Sequence, residues 1–317
     1  MRVMLFLHSM PPYRYTGGEL MTLELAASLA ARGHTVEAFV DHAIGSGIDY
    51  KGITVHGSGY LRSDIAHTFD LFITHPEIRT DITYYTVDMP YVAIVHNTST
   101  NTMRSLDRQP PDLTIVNSQW TMDHVPESCH VKGVELINPP TTITPIDGPH
   151  YYVTIINYSV DKGGDVFAHV ARAMPHVQFM AVCGGHGVQK AGDFPSNVHL
   201  MDATSDMAWV YSETKVLLFP TRIESYGKVA AEAMACGVPA IVSDIPALHE
   251  VCEGSAMFVD PLDPAAWVAA LTTMLQDDTL ATYGQKAALR GTGLVAKALT
   301  DLDRWESLLL ETVGHDD

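Results

Sequence analysis

Arg222-Ile-Glu-Ser-Tyr-Gly-Lys-Val-Ala-Ala-Glu-Ala-Met-Ala-Cys-Gly-Val-Pro239 decides the reading of this chain. It follows a short apolar run, Val216-Leu-Leu-Phe219, that ends at Pro220 and has the pattern of a buried strand. The chain then turns through Ser225 and Gly227 before Lys228 to Cys236, which reads as a helix. Glu224 therefore lies in the loop, and Glu232 lies about one turn into the helix. The first N–H groups of a helix have no partner inside it, so this spacing puts a phosphate-sized docking point between two carboxylates suited to sugar hydroxyls. The plain alternative is a surface loop with a solvated Glu224 and a helix with an exposed Glu232.

The stretch Glu224 to Glu232 resembles the Glu-x7-Glu motif of the retaining GT-B glycosyltransferases of the GT4 type. The downstream Glu232-Ala-Met-Ala-Cys-Gly-Val-Pro-Ala-Ile-Val-Ser243 follows the same pattern, and so does Ile245-Pro-Ala-Leu-His-Glu250. The resemblance implies an α/β chain of two Rossmann-like parallel-sheet domains facing across a cleft. It also implies a nucleoside-diphosphate sugar as donor substrate.

Composition agrees with a globular chain of that size. The 317 residues are 46% hydrophobic, enough for two cores. Nineteen basic residues stand against 37 acidic, a formal charge of -18. Residues 1–148 hold nine Lys or Arg and the remainder ten, so neither half is a basic face of the kind that nucleic-acid backbones or anionic membranes require. No stretch approaches a transmembrane span, and Arg2-Val-Met-Leu-Phe-Leu-His8 is too short for a signal peptide and reads as a first strand. Cys129, Cys183, Cys236 and Cys252 show no paired or zinc-like spacing, which fits a reducing, cytoplasmic setting.

Strand-like and helix-like runs alternate through both halves, the mark of parallel sheets covered on both faces. In the first half the expected strands are Arg2 to Ser9, Thr35 to Asp41, Ile53 to His56, Asp70 to Thr74, Tyr91 to His96, Leu113 to Asn117 and Val134 to Asn138, with a helix from Leu20 to Ala31. Proline and glycine between Pro139 and Pro149 mark a linker. The second half predicts strands at Tyr152 to Tyr158, Gln178 to Cys183, Val198 to Met201, Val216 to Phe219, Pro239 to Val242 and Ala256 to Val259. Helices are expected at Asp165 to Ala173, Met207 to Tyr211, after Gly227, from Pro264 to about Leu275, and from about Val295 to Leu310. The expected division is 1–148 as an acceptor-side domain, 149–294 as the nucleotide-sugar domain, and 295–317 as a helix returning to the first domain, as the resemblance implies.

Several loops carry the remaining chemistry. Pro11-Pro-Tyr-Arg-Tyr-Thr-Gly-Gly-Glu19 follows the first strand, and its Gly17-Gly18 pair permits a close backbone approach at a helix start. It resembles the Pro-x-x-Gly-Gly-x-Glu entrance of the family, and no G-x-G-x-x-G fingerprint of a dinucleotide site accompanies it. Tyr158-Ser-Val-Asp-Lys-Gly-Gly164 places Lys162 where a mobile point charge can meet a diphosphate. The family commonly carries an arginine five residues before this lysine, and here the position is Asn157. Arg222 is the candidate replacement for that charge. His96-Asn97 resembles the family's histidine site facing the donor sugar, with Thr98, Ser99 and Thr100 as candidate acceptor contacts. Trp120 is either a sugar platform or a packing residue. Gly184 resembles the glycine turn beneath the nucleotide, and Met201 lies in the segment that borders the base.

The expected reaction moves a sugar to an acceptor hydroxyl with retention, without a metal and without a further cofactor, since protein cations and helix ends can handle the diphosphate. By resemblance, Glu224 takes the sugar hydroxyls, Glu232 the ribose, and Lys162, Arg222 and the backbone of Ser225, Tyr226, Gly227 and Lys228 the diphosphate of a UDP- or GDP-sugar. The competing readings are a glycosyltransferase acting on a hydroxymethylated DNA base, a nucleotide-sugar-binding protein without catalysis, and a nicotinamide dehydrogenase, which the absent fingerprint disfavours. Nucleic acid is the less favoured partner, and the sequence does not decide the oligomeric state.

Overall fold

A computed structural model describes residues 1–11, 16–41, 45–76, 89–185, 187–189 and 194–314. The chain forms two compact units, Met1–Pro140 with Leu299–Asp317, and Thr141–Ala298. Each is built on its own sheet with helices on both faces, the architecture of two separate Rossmann-like domains of the GT-B fold.

The first sheet comprises β1 (Arg2–Leu7), β2 (Thr35–Val40), β3 (Ser46–Tyr50), β4 (Ile53–Gly57), β5 (Leu71–Thr74), β6 (Tyr91–Val95), β7 (Leu113–Val116) and β8 (Val134–Leu136). Their order is β3-β4-β2-β1-β5-β6-β7-β8. Alternation along β1 shows why the fold needs cover on both sides. Val3, Leu5 and Leu7 join Leu25 and Leu29 of the helix Gly17–Ala31 in one core, and Met4 and Phe6 join Phe39, Phe72 and Tyr91 in the other. All five β1 residues are at most 3% exposed, as in a parallel strand buried on both faces. β3 is the exception that the sequence did not announce: it runs antiparallel to β4 at the sheet edge, and its Ser46-Gly-Ile-Asp-Tyr50 is mostly exposed, so no apolar pattern marks it.

The second sheet holds β9 (Tyr152–Ile156), β10 (Phe179–Val182), β11 (Val198–Met201), β12 (Thr214–Phe219), β13 (Ala240–Ser243) and β14 (Met257–Val259), in the order β11-β10-β9-β12-β13-β14. Every neighbouring pair is parallel. The chain proceeds outward from β9 to β11, then crosses to the other side of β9 to lay down β12. The direction therefore reverses between β9 and β12, and open parallel sheets bind ligands at such a switch point, beyond the carboxyl ends of the strands.

The last helix differs most from its sequence-based expectation. It is one helix, Asp277–Thr312, and the expected 295–310 segment is only its later part. Gly284, Gly291 and Gly293 obscured the continuity, since glycine costs about 1 kcal/mol against alanine in a helix. Tertiary packing explains Gly291: a Cβ there would lie 2.1 Å from the Met234 carbonyl oxygen. From Leu299 onward the helix belongs to the first unit. Trp305 is fully buried and donates its indole N–H to the Leu25 carbonyl at 3.2 Å, and Asp301 accepts the Asn138 N–H at 3.1 Å. Arg32 pairs with Asp303 and Glu306, and His34 with Glu306. Among the described residues, no helix is long and apolar enough to cross a membrane.

Gly291→Ala is expected to destabilise the protein by roughly 1–3 kcal/mol in urea unfolding, because the backbone oxygen opposite cannot rotate away. Gly293→Ala meets nothing within 4 Å and should instead stabilise by up to about 1 kcal/mol. Equal effects at the two positions would contradict the packing described.

His75, just beyond β5, yields a pH test. It is 4% exposed, and burial pushes its pKa down from 6.5 to about 4, with a hydrogen bond to the Ile94 carbonyl opposing the shift. The unfolded chain takes up this proton near the ordinary histidine value while the folded chain resists it. Stability attributable to His75 is therefore present above pH 6.5 and is lost as pH falls towards 4, by about 3 kcal/mol in all. His75→Gln should flatten that part of the stability profile; an unchanged slope would contradict the buried neutral imidazole.

Candidate functional site

Three loops leave the carboxyl ends of neighbouring strands in the second unit, and each carries residues singled out in the sequence. The loop after β9 holds Asn157 and Lys162, that after β10 holds Gly184, and that after β12 holds Arg222, Glu224, Ser225, Tyr226 and Gly227. The β9 and β12 loops touch because Gly163 has no side chain. Its φ is +81°, and a Cβ would sit 2.1 Å from the Pro220 carbonyl oxygen. At that junction Lys162 Nζ lies 2.9 Å from Glu224 Oε2 and donates to the Ile223 carbonyl at 3.3 Å. The other Glu224 oxygen accepts the Ser225 N–H at 3.0 Å. The paired side chains are 22% and 17% exposed, so their attraction is screened less than that of a surface pair.

The helix Lys228–Ala235 starts at Gly227, which is left-handed at φ +101° and offers no capping side chain. A Cβ at Gly227 would come within 2.5 Å of Leu248 Cδ2. One turn on, Glu232 pairs with Lys228 at 3.1 Å, and both side chains are mostly buried. Two lysine–glutamate pairs thus occupy the turn and the helix start. Tyr226 contributes only backbone here: its ring belongs to the core, and burial raises the phenol pKa.

Asn157 and Arg222 are both engaged elsewhere. Asn157 has φ +64°, a conformation asparagine tolerates through local hydrogen bonds. Its Oδ1 accepts the Ser159 N–H at 3.1 Å and Gln189 Nε2 at 2.7 Å. A Cβ on Gly184 would fall 2.3 Å from Asn157 Cβ, which is why the β10 turn needs glycine. Arg222 donates to the Val160 carbonyl at 2.5 Å and pairs with Asp165 at 2.6 Å, while its backbone N–H meets the Asp161 carbonyl at 2.9 Å. Its charge is thus answered by Asp165, and it laces the two loops together. Met201 ends β11 half-buried, its carbonyl accepting the Cys183 N–H at 2.9 Å.

In the first unit, residues 12–15 of the glycine-loop expectation lie outside the described residues. Gly17 and Gly18 begin the helix Gly17–Ala31. A Cβ on Gly18 would lie 2.5 Å from the His96 ring, whereas one on Gly17 would meet nothing within 4 Å. The structure therefore brings Gly18 and His96 into direct contact. His96 in turn packs edge-on against His75, with centroids 4.4 Å apart. The neighbouring hydroxyls serve the backbone: Ser99 caps the helix Thr100–Arg108 by accepting the Thr102 N–H at 3.1 Å, and Asn97 accepts the Thr102 hydroxyl at 2.7 Å. Trp120 packs on His124, centroids 4.6 Å apart.

Five polar residues, three of them at strand ends, went unread. His8, after β1, meets Asp41, after β2, at 2.8 Å, and with His75 they extend the polar row at the sheet's carboxyl edge. A polar residue directly after a buried strand is a signal that could have found them. Gln189 and Tyr211, which donates to Glu232 Oε2 at 3.1 Å, sit at no marked spacing. A cavity of about 330 Å³ lined by His150, Lys215, Gly237, Pro239 and Asp277 lies at the amino ends of β12 and β13 and contains none of the candidate catalytic or donor-binding residues. We place the site instead at the carboxyl ends, where the charged groups converge and parallel sheets bind ligands. Among the described residues, no group of three His, Cys, Asp or Glu is placed to hold a metal ion.

Known proteins resemble this chain in sequence over part of its length and in fold over nearly all of it. The family model described as "Glycosyl transferases group 1" matches residues 153–277. The O-antigen chain mannosyltransferase RfbU of Salmonella typhimurium is 38% identical over 72 residues, 23% of this chain and 20% of that protein. A D-inositol 3-phosphate glycosyltransferase of Xylanimonas cellulosilytica is 29% identical over 165 residues, 45% of this chain and 38% of the other. The chain thus matches well under half the length of these curated relatives. Among solved structures, sucrose-phosphate synthase from Thermosynechococcus elongatus aligns with a TM-score of 0.78 at 18% identity, covering 98% of this chain and 99% of that one. HepE of Anabaena, solved with UDP and glucose, aligns at 0.76 and 17% identity, covering 96% and 98%. At such identities the likeness is one of fold. The chain therefore has the GT-B fold, and its second unit, from β9 through the helix Pro264–Met274, carries the pattern of the group 1 glycosyl transferases.

Proposed function

We propose that this protein is a retaining glycosyltransferase that moves a sugar from a nucleoside-diphosphate donor, a UDP- or GDP-sugar, to an acceptor hydroxyl. The observation that carries this reading is the Lys162–Glu224 pair at the β9/β12 switch point, beside a helix start that bears a second pair, Lys228–Glu232. Nucleotide-sugar relatives of the same fold and the group 1 pattern over residues 153–277 support it.

In this reading the charges of the site are neutralised by its own residues, and the donor exchanges partners with them. The diphosphate takes Lys162 and the backbone donors from Ser225 to Lys228. Glu224 is released to the hydroxyls of the transferred sugar, and Glu232 meets the ribose. The exchange leaves no carboxylate or ammonium without a partner, which matters because an unpaired charge in a half-buried site is costly. As the bond from the anomeric carbon to the diphosphate breaks, negative charge grows on the leaving oxygen, where Lys162 and the helix start stabilise it. The acceptor oxygen attacks from the same face, and its proton passes to the departing phosphate. The first unit is assigned to the acceptor side, with His96 as the histidine facing the donor sugar and Gly17 and Gly18 at the donor-binding helix start beside it. Protein cations and backbone donors supply the diphosphate contacts without a metal.

A second reading, donor binding without transfer, is favoured by one observation. The usual arginine is replaced by a neutral Asn157 held by Gln189, and Arg222 is paired with Asp165. One experiment separates the two: a thermal-shift screen of UDP-, GDP-, ADP- and TDP-sugars, followed by incubation with an alcohol panel and mass spectrometry of the products. Transfer or hydrolysis supports the enzyme, binding alone supports the second reading, and no stabilisation by any donor sinks both.

Three mutational outcomes follow from the assigned roles. Glu224→Gln should cut transfer by tens to hundreds of times while donor affinity changes little, whereas Glu232→Ala should chiefly weaken nucleotide binding, by about tenfold or more. Small equal effects would refute the division of labour. Gly18→Ala, whose Cβ would overlap the His96 ring, should lower turnover by about 10–100-fold through displacement of that histidine. Unaltered turnover would remove His96 from the site.

A further inference from the structure

Glu232 is held from behind by a residue that the motif spacing does not disclose. Tyr211, in the helix Met207–Glu213, is fully buried, and its hydroxyl lies 3.1 Å from Glu232 Oε2 and 3.1 Å from the Val229 carbonyl oxygen. One proton faces two acceptors, and an ionised carboxylate is the stronger of them. Burial, reinforced by the adjacent carboxylate, raises the phenol pKa well above its ordinary value, so Tyr211 remains a neutral donor.

The other oxygen of the same carboxylate, Oε1, meets Lys228 Nζ at 3.1 Å. Among the described residues, each Glu232 oxygen therefore has one donor. A carboxylate offers about four lone-pair positions, so each oxygen keeps an acceptor position beyond these contacts. Two adjacent acceptors match the paired hydroxyls of a vicinal diol better than a single alcohol. Tyr211 sits on a well-anchored helix: Asp206 caps it through the Trp209 N–H at 3.1 Å, and the Thr214 hydroxyl donates to the Val210 carbonyl at 2.7 Å. Without the phenol, Glu232 would keep only Lys228 of these two donors, a flexible arm with free rotamers.

We propose that Tyr211 is a positioning residue that, by holding Glu232 Oε2, aims the carboxylate at the cis-diol of the donor's ribose and so sets a preference for ribonucleotides over deoxyribonucleotides. This inference rests on the assignment of Glu232 to the ribose in the proposed function. A merely structural tyrosine would stabilise the fold but would not distinguish nucleotides by their ribose hydroxyls.

The test is a cycle between the phenol and the ribose, read by calorimetry on the full chain with UDP, 2′-deoxy-UDP and 3′-deoxy-UDP, or with the matching guanosine diphosphates if UDP gives no heat. The wild type should bind the ribonucleotide about tenfold more tightly than either deoxy analogue. Tyr211→Phe should weaken the ribonucleotide by about fivefold and leave the analogues nearly unchanged, so that the preference falls to about twofold. A wild-type preference that survives intact in Tyr211→Phe overturns the role of Tyr211 and leaves that of Glu232 standing. No preference in the wild type, or no binding of either nucleotide series, overturns the Glu232 assignment and this inference with it. Should the phenylalanine variant not fold, 3-fluorotyrosine at position 211 keeps the donor. Its fluorine resonance should then move with the ribonucleotide and move less with the deoxy analogues; identical shifts would count against the proposal.

Discussion

The contact between Lys162 and Glu224 is the constraint around which the second unit's carboxyl edge is arranged. It joins two loops that leave adjacent strands, β9 and β12, and it forms only because Gly163 lets one backbone lie on the other at Pro220. Neither ion could sit at this depth alone without a desolvation cost. Together they keep a cation and an anion in place at the switch point of a parallel sheet. Arg222 fastens the same two loops from outside through Asp165 and the carbonyls of the β9 loop, so the pair rests on a laced frame.

Lys228 and Glu232 repeat the device one step further along the chain, now across a single helical turn. The repetition has a physical reason. A helix start with no capping side chain carries partial positive charge, and a nearby carboxylate is stabilised there provided it is held in register. Small residues make the close packing possible: Ala230, Ala231 and Ala233 are buried against the sheet, and Gly227 takes the left-handed conformation that turns the loop into the helix. The site's geometry is thus a product of missing side chains as much as of charged ones.

The first unit's carboxyl edge has a different character. His8 with Asp41, His75 and His96 follow four strands of the sheet. A neutral imidazole can donate to or accept from a hydroxyl group and a carboxylate accepts from one, in keeping with the acceptor side proposed for this unit. Several residues that look functional in sequence are spent on the backbone here. Asn97 and Ser99 cap one helix, and Asn117 and Ser118 do the same for the next, accepting from Thr121. A hydroxyl or amide after a strand is suited both to a ligand and to a helix cap, and its residue type alone does not choose between them.

How much was legible follows from which interactions are local. The alternation of apolar runs, the strand–turn–helix around Glu224 and Glu232, and the glycine pairs were readable because strand burial, turn geometry and helix entry depend on residues close in sequence. β3 was not, because an exposed antiparallel edge carries no apolar period, and the continuity of Asp277–Thr312 was not, because Gly291 answers to Met234 across the fold. The same division holds at the site. Sequence by itself determined which acids, lysines and glycines stand at the strand ends. Only tertiary structure decided their partners: Lys162 with Glu224, Arg222 with Asp165, Asn157 with Gln189, and Tyr211 with Glu232. Those partners lie 62, 57, 32 and 21 positions apart, and a hydrogen bond or ion pair is set by distance in space, which the order of strands in the sheet fixes and the order of residues in the chain does not.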